Sequence, residues 1–490
     1  MRDQTSVYTL DEALSAVRFG TFQSLLLVYG GLGWIAEAME MMLLSFIGPV
    51  VKSQWNLSPA QESLISTAVF GGMLLGAFSW GYLSDAYGRK RAFLGAVSVS
   101  TTAGFASAFS PSYKFLVMFR CIAGMGLGGL LVFQTWFLEF VPTPNRGTWM
   151  IVYSSFWTIG VISEAALAWI VMPNMGWRWL VALSAIPSFV VLFFSFLIPE
   201  SPRFLSNKGR TKEAQVILER ASVLNKTSLP NGTLVSDQTK HSLDQHSTPS
   251  ETVLTVPVET QESKKGFSSM VLLFSTKLLR TTLILWILFF GNTFAYYGII
   301  LITSELSSDR NKCGSSISMV PKNQQDDSLY INVFITSLAE VPGLLISATI
   351  VDRIGRKLSM VIMFGLSFVL FLPLVTHQTR LITTTLLFGA RMFISSTFNV
   401  VCIYAPEVYP TNVRSTGVGI ASAIGRIGGM ICPLVAVGLV TGCHQTAAVM
   451  LLASVIFVSG FSVMFFPFET KNRALTDNVG KRETTNSTGA

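Results

Sequence analysis

The chain has 490 residues, of which 50% are hydrophobic and only 13% are charged. Since soluble domains carry about 25% charged residues, this composition predicts that lipid is the main solvent of the chain. The formal charge is +8, but the basic residues lie between apolar runs and form no concentrated basic face. Nucleic acid is therefore excluded as a partner.

Cysteine and histidine are not arranged for catalysis or metal binding. Three of the five cysteines, Cys121, Cys402 and Cys432, fall inside apolar runs. The other two, Cys313 and Cys443, fall in segments predicted on the outer side, where their spacing is compatible with a disulfide or with free thiols. The four histidines lack metal-ligand spacing, and the sequence has neither a nucleophile elbow nor a phosphate-binding glycine loop. We expect no enzyme activity, no metal and no cofactor.

Residues 1–23 are predicted to form a cytoplasmic N-terminal segment. Within it, Thr9-Leu-Asp-Glu12 has the spacing of a helix capping box and precedes a short amphipathic stretch, which we expect to lie along the membrane surface. The first 20 residues lack the apolar core of a signal peptide, so the first membrane span is expected to direct insertion.

Twelve apolar runs follow, each long enough for the roughly 20 residues that a helix needs to cross the hydrocarbon core. Helices are expected because, in lipid, each segment must satisfy its own backbone polar groups. The runs are 24–50, 63–84, 92–110, 114–138, 148–172, 178–198, 280–304, 329–351, 358–376, 381–404, 415–440 and 445–467. The sequence therefore predicts an all-α membrane protein with twelve transmembrane helices.

Repeated motifs divide these runs into two halves. The segment Gly81 to Arg91 recurs 267 positions later at Ala348 to Lys357, with Asp and Gly-Arg-Lys at the same spacing. A second segment, Glu139 to Arg146, recurs 268 positions later at Glu407 to Arg414. A weaker third pair consists of the acidic residues after the sixth and twelfth runs, Glu200 and Glu469. The chain is therefore interpreted as a duplicated six-helix unit.

The predicted domains follow from this duplication. They are an N-terminal six-helix half at 24–198, a cytoplasmic linker at 199–279, a C-terminal six-helix half at 280–467 and a cytoplasmic tail at 468–490. The stretch 222–265 is rich in Ser and Thr and is predicted to be disordered. Lys and Arg are twice as frequent in the predicted inner loops and termini as in the outer loops, which predicts cytoplasmic termini. On that side, the sequons at Asn225 and Asn231 are expected to stay unglycosylated.

Three ionisable residues in the first and fourth runs are the candidates for proton coupling. Glu37 and Glu40 are three positions apart and share one helix face, so one of these carboxyls is expected to exchange a proton near neutral pH. In the fourth run, Arg120 precedes glycines at a spacing that lets another helix approach and hold the arginine near these acids. Two interpretations stay open: a switch in which an acid releases Arg120 when it is protonated, and a permanent ion pair that fixes packing.

The C-terminal runs contain a second set of buried charges. Arg426 lies near the middle of the eleventh run, where an unpaired guanidinium is very unfavourable. Its expected anionic partner is either a substrate or Glu340 of the eighth run, which would then lock two helices together. Arg391 in the tenth run and Glu164 in the fifth are expected to be structural. Aromatic residues that are candidates to line a central cavity, with plain packing as the alternative, are Trp34, Tyr296 and Tyr297.

The repeated motifs predict a mechanical role at an inner gate. Asp85 and Asp352 fall at the cytoplasmic ends of their helices. There a carboxylate can hold a neighbouring helix N-terminus or a loop arginine, in contacts that form when the gate closes. The predicted gate residues are Asp85, Gly88, Arg89, Glu139, Arg146, Asp352, Gly355, Arg356, Glu407 and Arg414.

These motifs resemble the major facilitator superfamily. The similarity rests on the doubled Asp-x-x-Gly-Arg-Lys loops, on the spacing of Arg120 and its following glycines, and on Pro199-Glu-Ser-Pro-Arg203, and it covers nearly the whole chain. The segments Trp34 to Met42 and Phe290 to Gly298 are similar to the synaptic vesicle 2-related branch and its SVOP-like members. The resemblance implies a facilitator fold in which two six-helix halves rock around a central site.

The resemblance also bears on the substrate. Glu340-Val-Pro342-Gly343 is similar to the organic ion transporter group, and Arg426 resembles a basic residue of its anion branch, which implies an organic anion. The glutamine motifs of sugar porters are absent from the seventh run, so a hexose is not expected. We expect a monomeric secondary active transporter of a small organic ion, coupled to protons, in an intracellular vesicle or the plasma membrane. The alternative is a transporter-like protein that does not transport and acts in vesicle trafficking or as a binding partner.

Overall fold

A computed structural model of the chain describes residues 7–129, 131–142, 146–235, 273–276, 278–308, 331–376, 378–409, 414–441 and 445–471. The chain divides into two compact units, one of Met1–Pro257 with Ser316–Phe334 and the other of Val258–Ser315 with Ile335–Ala490. Ten helices among the described residues are long and apolar enough to cross a membrane. Both units consist mainly of such helices, as the hydropathy pattern predicts. Cys313 and Cys443 lie outside the described residues.

The N-terminal unit begins with a short strand, β1 (Val7–Tyr8). Its helices are α1 (Leu10–Val17), α2 (Thr21–Trp55), α3 (Pro59–Tyr87), α4 (Arg89–Ser107), α5 (Tyr113–Gly128), α6 (Leu131–Leu138), α7 (Arg146–Met175), α8 (Trp177–Ser184), α9 (Ile186–Phe193), α10 (Pro202–Asn207) and α11 (Thr211–Asn225), and a second strand, β2 (Thr233–Leu234), follows. The sixth predicted run is divided between α8 and α9, where Pro187 has no N–H for a helical hydrogen bond.

The described part of the C-terminal unit is also helical. Its helices are α12 (Leu279–Ser308), α13 (Glu340–Ile354), α14 (Arg356–Phe371), α15 (Arg380–Val408), α16 (Arg414–Thr441) and α17 (Gln445–Val463). Helix α13 is the second part of the apolar segment Ile331–Val351. Helix α12 packs on α15, α16 and α17, and α15 packs on α13 and α14, so the seventh and tenth predicted runs lie at the centre of this unit.

Glycines in α5 allow close helix packing. A Cβ atom at Gly124 or Gly128 would collide with backbone atoms of α3, and one at Gly126 with backbone atoms of α4. Small residues at these positions therefore let three helix backbones approach one another. The predicted close approach is confirmed, and the helices that approach are α3 and α4.

A small cluster outside the membrane spans joins the N-terminal segment to the start of the predicted linker. The capping box is confirmed, since Thr9 Oγ1 accepts the Glu12 N–H at 3.3 Å and Glu12 Oε2 accepts the Thr9 N–H at 2.9 Å. The apolar side of α1 packs against α11 with Leu205 of α10, and β1 pairs in parallel with β2. The apolar face of α1 is thus covered by protein and is not available to insert into lipid.

The same cluster corrects the predicted limits of disorder. Residues 222–225 are the last turn of α11, and residues 233–234 form β2. The Ser/Thr-rich composition pointed to disorder from residue 222 onward. Two partners that are remote in sequence, α1 and β1, instead bury the apolar residues of this stretch, among them Leu234. Order from residue 222 to residue 234 therefore depends on the N-terminal segment.

Candidate functional site

A buried ion pair lies inside the N-terminal unit. Arg120 Nη1 on α5 donates to Glu40 Oε2 on α2 at 2.7 Å, and both side chains are at most 3% exposed. Arg120 Nη2 also donates to Ser107 Oγ at 2.7 Å. Gly104 makes room for the carboxylate, because a Cβ at this position would lie 2.7 Å from Glu40 Oε1. The predicted pairing of Arg120 with an acid of the first span is therefore observed, and the acid is Glu40.

Glu37 lies on the same helix, one turn before Glu40, and is 1% exposed. It is within electrostatic range of the Tyr153 hydroxyl on α7. The half-buried indole of Trp34 lies 5.5 Å, between ring centroids, from both Tyr153 and Trp157. The acidic residues of α2 therefore lie next to an aromatic cluster formed by Trp34 of α2 with Tyr153 and Trp157 of α7.

A third buried carboxyl lies on α7. Glu164 is fully buried, and both of its carboxyl oxygens are within 2.9 Å of Ser184 Oγ on α8. Glu40 and Arg120 act on it electrostatically. The sequence predicts a structural role for Glu164, but the structure brings it into the same charged group as the predicted proton-coupling residues.

The C-terminal unit also has a buried ion pair on its fourth helix. Arg391 Nη2 on α15 donates to Glu340 Oε1 on α13 at 2.9 Å, and the Tyr296 hydroxyl on α12 donates to the same oxygen at 2.7 Å. Arg391 is fully buried and Glu340 is 3% exposed. Glu340 is the predicted partner of Arg426 if that arginine has an acid within the protein, but the ion pair observed on Glu340 is with Arg391 of α15.

Polar and aromatic groups continue around this pair. Tyr297 packs edge-on against Tyr296, with a ring-centroid distance of 5.1 Å. One turn earlier on α12, the buried Asn292 donates to Thr397 Oγ1 on α15 at 2.6 Å. On α16, Arg426 is half-buried and within electrostatic range of Cys402. The C-terminal unit thus contains an aromatic pair on α12 and a half-buried arginine on α16.

The first repeated motif forms a helix start that a distant carboxylate caps. Gly88 has φ +108°, a backbone conformation that favours glycine, and α4 begins at the next residue. Glu200 Oε1 accepts the backbone N–H groups of Arg89 at 2.8 Å and Lys90 at 3.1 Å. A carboxylate at this position satisfies the unpaired N–H groups of the first turn and complements the helix dipole.

The second copy reproduces this arrangement in the C-terminal unit. Gly355 has φ +93°, and α14 begins at Arg356. Glu469 Oε1 accepts the Arg356 N–H at 2.9 Å, and Oε2 accepts the Lys357 N–H at 2.8 Å. Burial acts to raise the pKa of Glu469, but the backbone N–H groups of Lys357, Arg356, Lys471 and Thr470 outweigh burial and lower the pKa below its usual value.

The arginine side chains of both motifs pair with acids of the second repeated segment, a pairing that the sequence did not predict. Arg89 Nε lies 3.4 Å from Glu139 Oε1, and Arg356 Nε lies 3.3 Å from Glu407 Oε2. Burial raises the pKa of Glu139, although Arg89 acts to lower it. The side chains of four further predicted gate residues lie outside the described part of the structure, namely Asp85, Arg146, Asp352 and Arg414.

Sequence reasoning missed the caps at Glu200 and Glu469. It assigned the role of holding a helix N-terminus to the aspartates of the repeated motif. The sequence signal for these caps is the third repeated pair, the acidic residues that follow the sixth and twelfth runs. Its meaning emerges only from the fold, which brings residues about 110 positions apart, such as Arg89 and Glu200 (111), into contact.

Asn225 at the end of α11 also holds the start of the first membrane span. Its Oδ1 accepts the Phe22 N–H at 2.9 Å, and its Nδ2 donates to Gln23 Oε1 at 2.7 Å and to the Val17 carbonyl at 3.2 Å. A Cβ at Gly20 would lie 2.5 Å from the Asn225 side chain. We call this set the Asn225 clasp. The side-chain nitrogen of Asn225, to which a glycan would attach, is thus engaged in these contacts.

Solved structures support the fold that the sequence motifs imply. The chain is similar to a partially occluded inward-open form of the xylose transporter XylE from E. coli, with a TM-score of 0.69, 15% identity, and coverage of 93% of this chain and 100% of the other. It is also similar to the proton:xylose symporter XylE bound to a sugar analogue, with a TM-score of 0.68 and 17% identity over 93% of this chain and 98% of the other. The fold is that of the major facilitator superfamily, with twelve helices in two related halves.

A family model described as "Sugar (and other) transporter" matches residues 22–478, and the chain belongs to this family of multi-pass membrane transporters. Organic cation/carnitine transporter 7 of Arabidopsis thaliana is 52% identical over 492 residues, with 98% of each chain covered. Synaptic vesicle 2-related protein of Rattus norvegicus is 34% identical over 500 residues, covering 98% of this chain and 86% of the relative. The predicted resemblance to the synaptic vesicle 2-related branch is confirmed.

Proposed function

We propose that this protein is a proton-coupled secondary active transporter of a small organic ion, and that its two halves work by alternating access. The buried pair of Arg120 and Glu40 is the observation that carries the proposal. Desolvating an arginine and a carboxylate costs several kcal/mol per ion. The attraction between the two charges offsets this cost only when their hydrogen-bond geometry is good. Protonation of Glu40 weakens its attraction to Arg120, so the pair can couple helix packing to proton binding.

The substrate class follows from two features of the C-terminal unit. The edge-on pair of Tyr296 and Tyr297 offers aromatic rings of the kind that bind quaternary ammonium groups. Arg426 offers a cation that suits a carboxylate. Carnitine, named in the Arabidopsis relative, carries both groups on one small molecule. We therefore favour an organic cation or a zwitterion such as carnitine, and we keep an organic anion as the alternative that Arg426 alone would favour.

A protein that does not transport is the second candidate function. It is favoured by the 34% identity to a synaptic vesicle 2-related protein, whose name concerns vesicles rather than a substrate. In that case the buried ion pairs would serve packing alone. For either function we propose cytoplasmic termini, a vesicle or plasma membrane location, and a monomer.

Uptake into proteoliposomes separates these alternatives. The probes are radiolabelled L-carnitine, tetraethylammonium and p-aminohippurate, measured with and without a pH gradient, for the wild type, Glu40→Gln and Arg426→Ala. Glu213→Gln is the matched control, because Glu213 forms an exposed ion pair with Arg210 outside the membrane spans. We expect saturable, gradient-stimulated uptake that Glu40→Gln loses and Glu213→Gln keeps. Absence of uptake of all probes by a folded wild type would favour the second function.

Loss of uptake in Arg426→Ala for p-aminohippurate and L-carnitine, with tetraethylammonium uptake retained, would support contact of Arg426 with a carboxylate. Equal loss for every probe would instead assign Arg426 to packing or to gating.

A further inference from the structure

Glu164 is a fully buried carboxyl that the proposed coupling residues leave without a role. It lies on α7, which packs on α2 and α8. The charged side chains that act on it are Glu40 of α2 and Arg120 of α5. The contact from α8 is the neutral hydroxyl of Ser184. Glu37, also on α2, acts on Tyr153, which lies earlier on α7.

The position of the Ser184 hydroxyl reveals a hydrogen-bond conflict around Glu164. Ser184 Oγ lies 2.7 Å from the Leu180 carbonyl oxygen, 2.8 Å from Glu164 Oε2 and 2.9 Å from Glu164 Oε1. A serine hydroxyl has one proton to donate, and a carboxylate and a carbonyl can only accept. One proton therefore cannot serve all these short contacts.

A protonated Glu164 reduces the conflict, because it adds a second donor. Ser184 then donates to the Leu180 carbonyl, the usual bond of a serine to the residue four positions before it in a membrane helix. Glu164 donates its own proton to Ser184 Oγ, whose lone pairs remain available. Two of the three short contacts then join a donor to an acceptor, whereas an ionised Glu164 leaves the single serine proton to serve all three.

The charge balance of the neighbouring groups agrees with this assignment. Arg120 supplies one positive charge and is already paired with Glu40 at 2.7 Å. An ionised Glu164 would add a second negative charge in a fully buried position. A buried carboxylate that lacks its own cation is very unfavourable, so a second carboxyl beside one ion pair tends to keep its proton.

We propose that Glu164 holds the transported proton in the state described here, while Glu40 is ionised and paired with Arg120. This inference rests on the proposed proton-coupled transport and names a carrier residue for it. When the site opens to water, the O–H bond of Glu164 breaks, the proton passes to water and the electron pair stays on the carboxylate. The positive charge of Arg120 is then shared between Glu40 and Glu164. Reprotonation from water on the other side of the membrane restores the original state.

Difference infrared spectroscopy of the purified protein tests the protonation state without measuring transport. A protonated carboxyl has a C=O band distinct from that of a carboxylate and from that of an amide. We expect such a band in the wild type, its loss in Glu164→Gln, and a shift of its frequency in Ser184→Ala, which removes the hydroxyl that accepts the proton. A band that is unchanged in Glu164→Gln would overturn the assignment.

Transport then tests whether this proton is the one that moves. Glutamine is a neutral isostere of the protonated acid, so we expect Glu164→Gln to keep exchange of L-carnitine between equal pools and to lose accumulation driven by the pH gradient. Accumulation in Glu164→Gln at the wild-type level would overturn the inference while leaving proton coupling intact. A wild type that exchanges L-carnitine but ignores the gradient would overturn the proposed coupling, and the inference with it.

If the wild type does not accept L-carnitine, the same comparison is made with whichever of tetraethylammonium and p-aminohippurate it takes up. Uptake of none of the three probes by the folded wild type overturns the transport role of Glu164 as well. Glu213→Gln again serves as the control for loss of a carboxylate. Glu164→Asp keeps a titratable group on a shorter side chain, so partial recovery of gradient-driven accumulation in this variant would distinguish a proton carrier from a packing residue.

Discussion

The Glu200 carboxylate accepts the backbone N–H of Arg89 at 2.8 Å, and it thereby caps a helix that begins 111 positions earlier in the chain. Glu469 does the same for Arg356 at 2.9 Å across 113 positions. The start of each of these two helices therefore depends on a residue that follows the last membrane span of its own unit. If the first turn of α4 or α14 moves, the capping carboxylate must move with it or its hydrogen bonds must break.

Removal of a cap should destabilise the protein. Glu200→Ala and Glu469→Ala each lose two or more charge-assisted hydrogen bonds to N–H groups, so we expect each to lower the free energy of unfolding by about 2 kcal/mol. Thermal unfolding in detergent, followed by intrinsic fluorescence, measures the shift in Tm. Glu213→Ala, at an exposed ion pair, is the control. Equal Tm shifts for cap and control variants would contradict the prediction.

The cap at Glu469 should make stability depend on pH. Its folded-state pKa is lowered, so its contribution is complete above the usual value of 4.5 and is lost as the pH falls through the folded-state pKa. We therefore expect the difference in Tm between the wild type and Glu469→Gln to be constant from neutral pH down to about pH 5 and to shrink at lower pH. A difference that grows on acidification would show that the pKa is raised instead.

The buried pair of Arg391 and Glu340 should show strong coupling. Arg391→Met leaves Glu340 buried without its cation and should cost about 3 kcal/mol or more. The double variant Arg391→Met with Glu340→Gln removes both charges, so we expect it to be more stable than Arg391→Met alone. A double-mutant cycle on unfolding free energies measures the coupling. If the losses of unfolding free energy in the two single variants add up to the loss in the double variant, the two side chains do not interact. Arg426→Met, at a half-buried arginine of the same unit, is the comparison.

The Asn225 clasp should control the order of the N-terminal segment. Asn225→Ala removes the donor and the acceptor that hold Phe22 and Gln23, and Gly20→Ala places a methyl group 2.5 Å from the Asn225 side chain. Both variants are expected to expose residues near α1 to protease. Limited proteolysis with mass spectrometry detects the new cleavage sites. Cleavage equal to that of Asn231→Ala, a substitution at the other sequon, would refute a role for the clasp.

Much of the fold follows from local rules that operate within each stretch of sequence. Apolar runs of sufficient length form helices because lipid offers no other partner to the backbone. The capping box at Thr9 and the serine and proline that begin α3 determine helix starts through contacts over three residues. The duplication is visible in the repeated motifs alone. It predicts equivalent gate residues in the two halves, and the structure gives Arg89 and Arg356 equivalent partners, Glu139 and Glu407.

Partners that are remote in sequence could not be predicted in this way. Glu340 was matched with Arg426 because both lie deep in apolar runs, yet helix rotation turns Arg391 toward it. Disorder is predicted from residue 222 onward, but the end of α11 and β2 are ordered. They are ordered because this segment and the N-terminal segment, each only weakly apolar, bury each other's side chains. Composition reports the polarity of one segment and carries no information about which second segment covers it.

The sequence by itself determined that the protein is a duplicated, twelve-helix membrane protein with few charges in its spans, and its motifs resemble those of a transporter family. Helix length, hydropathy and motif repeats act locally, so they can be identified without coordinates. The tertiary structure decided which buried charge meets which, because that depends on helix rotation and on helix–helix distances of a few ångströms. It brought Glu164 beside Ser184 and within electrostatic range of Arg120 and Glu40, a group whose members span residues 40 to 184.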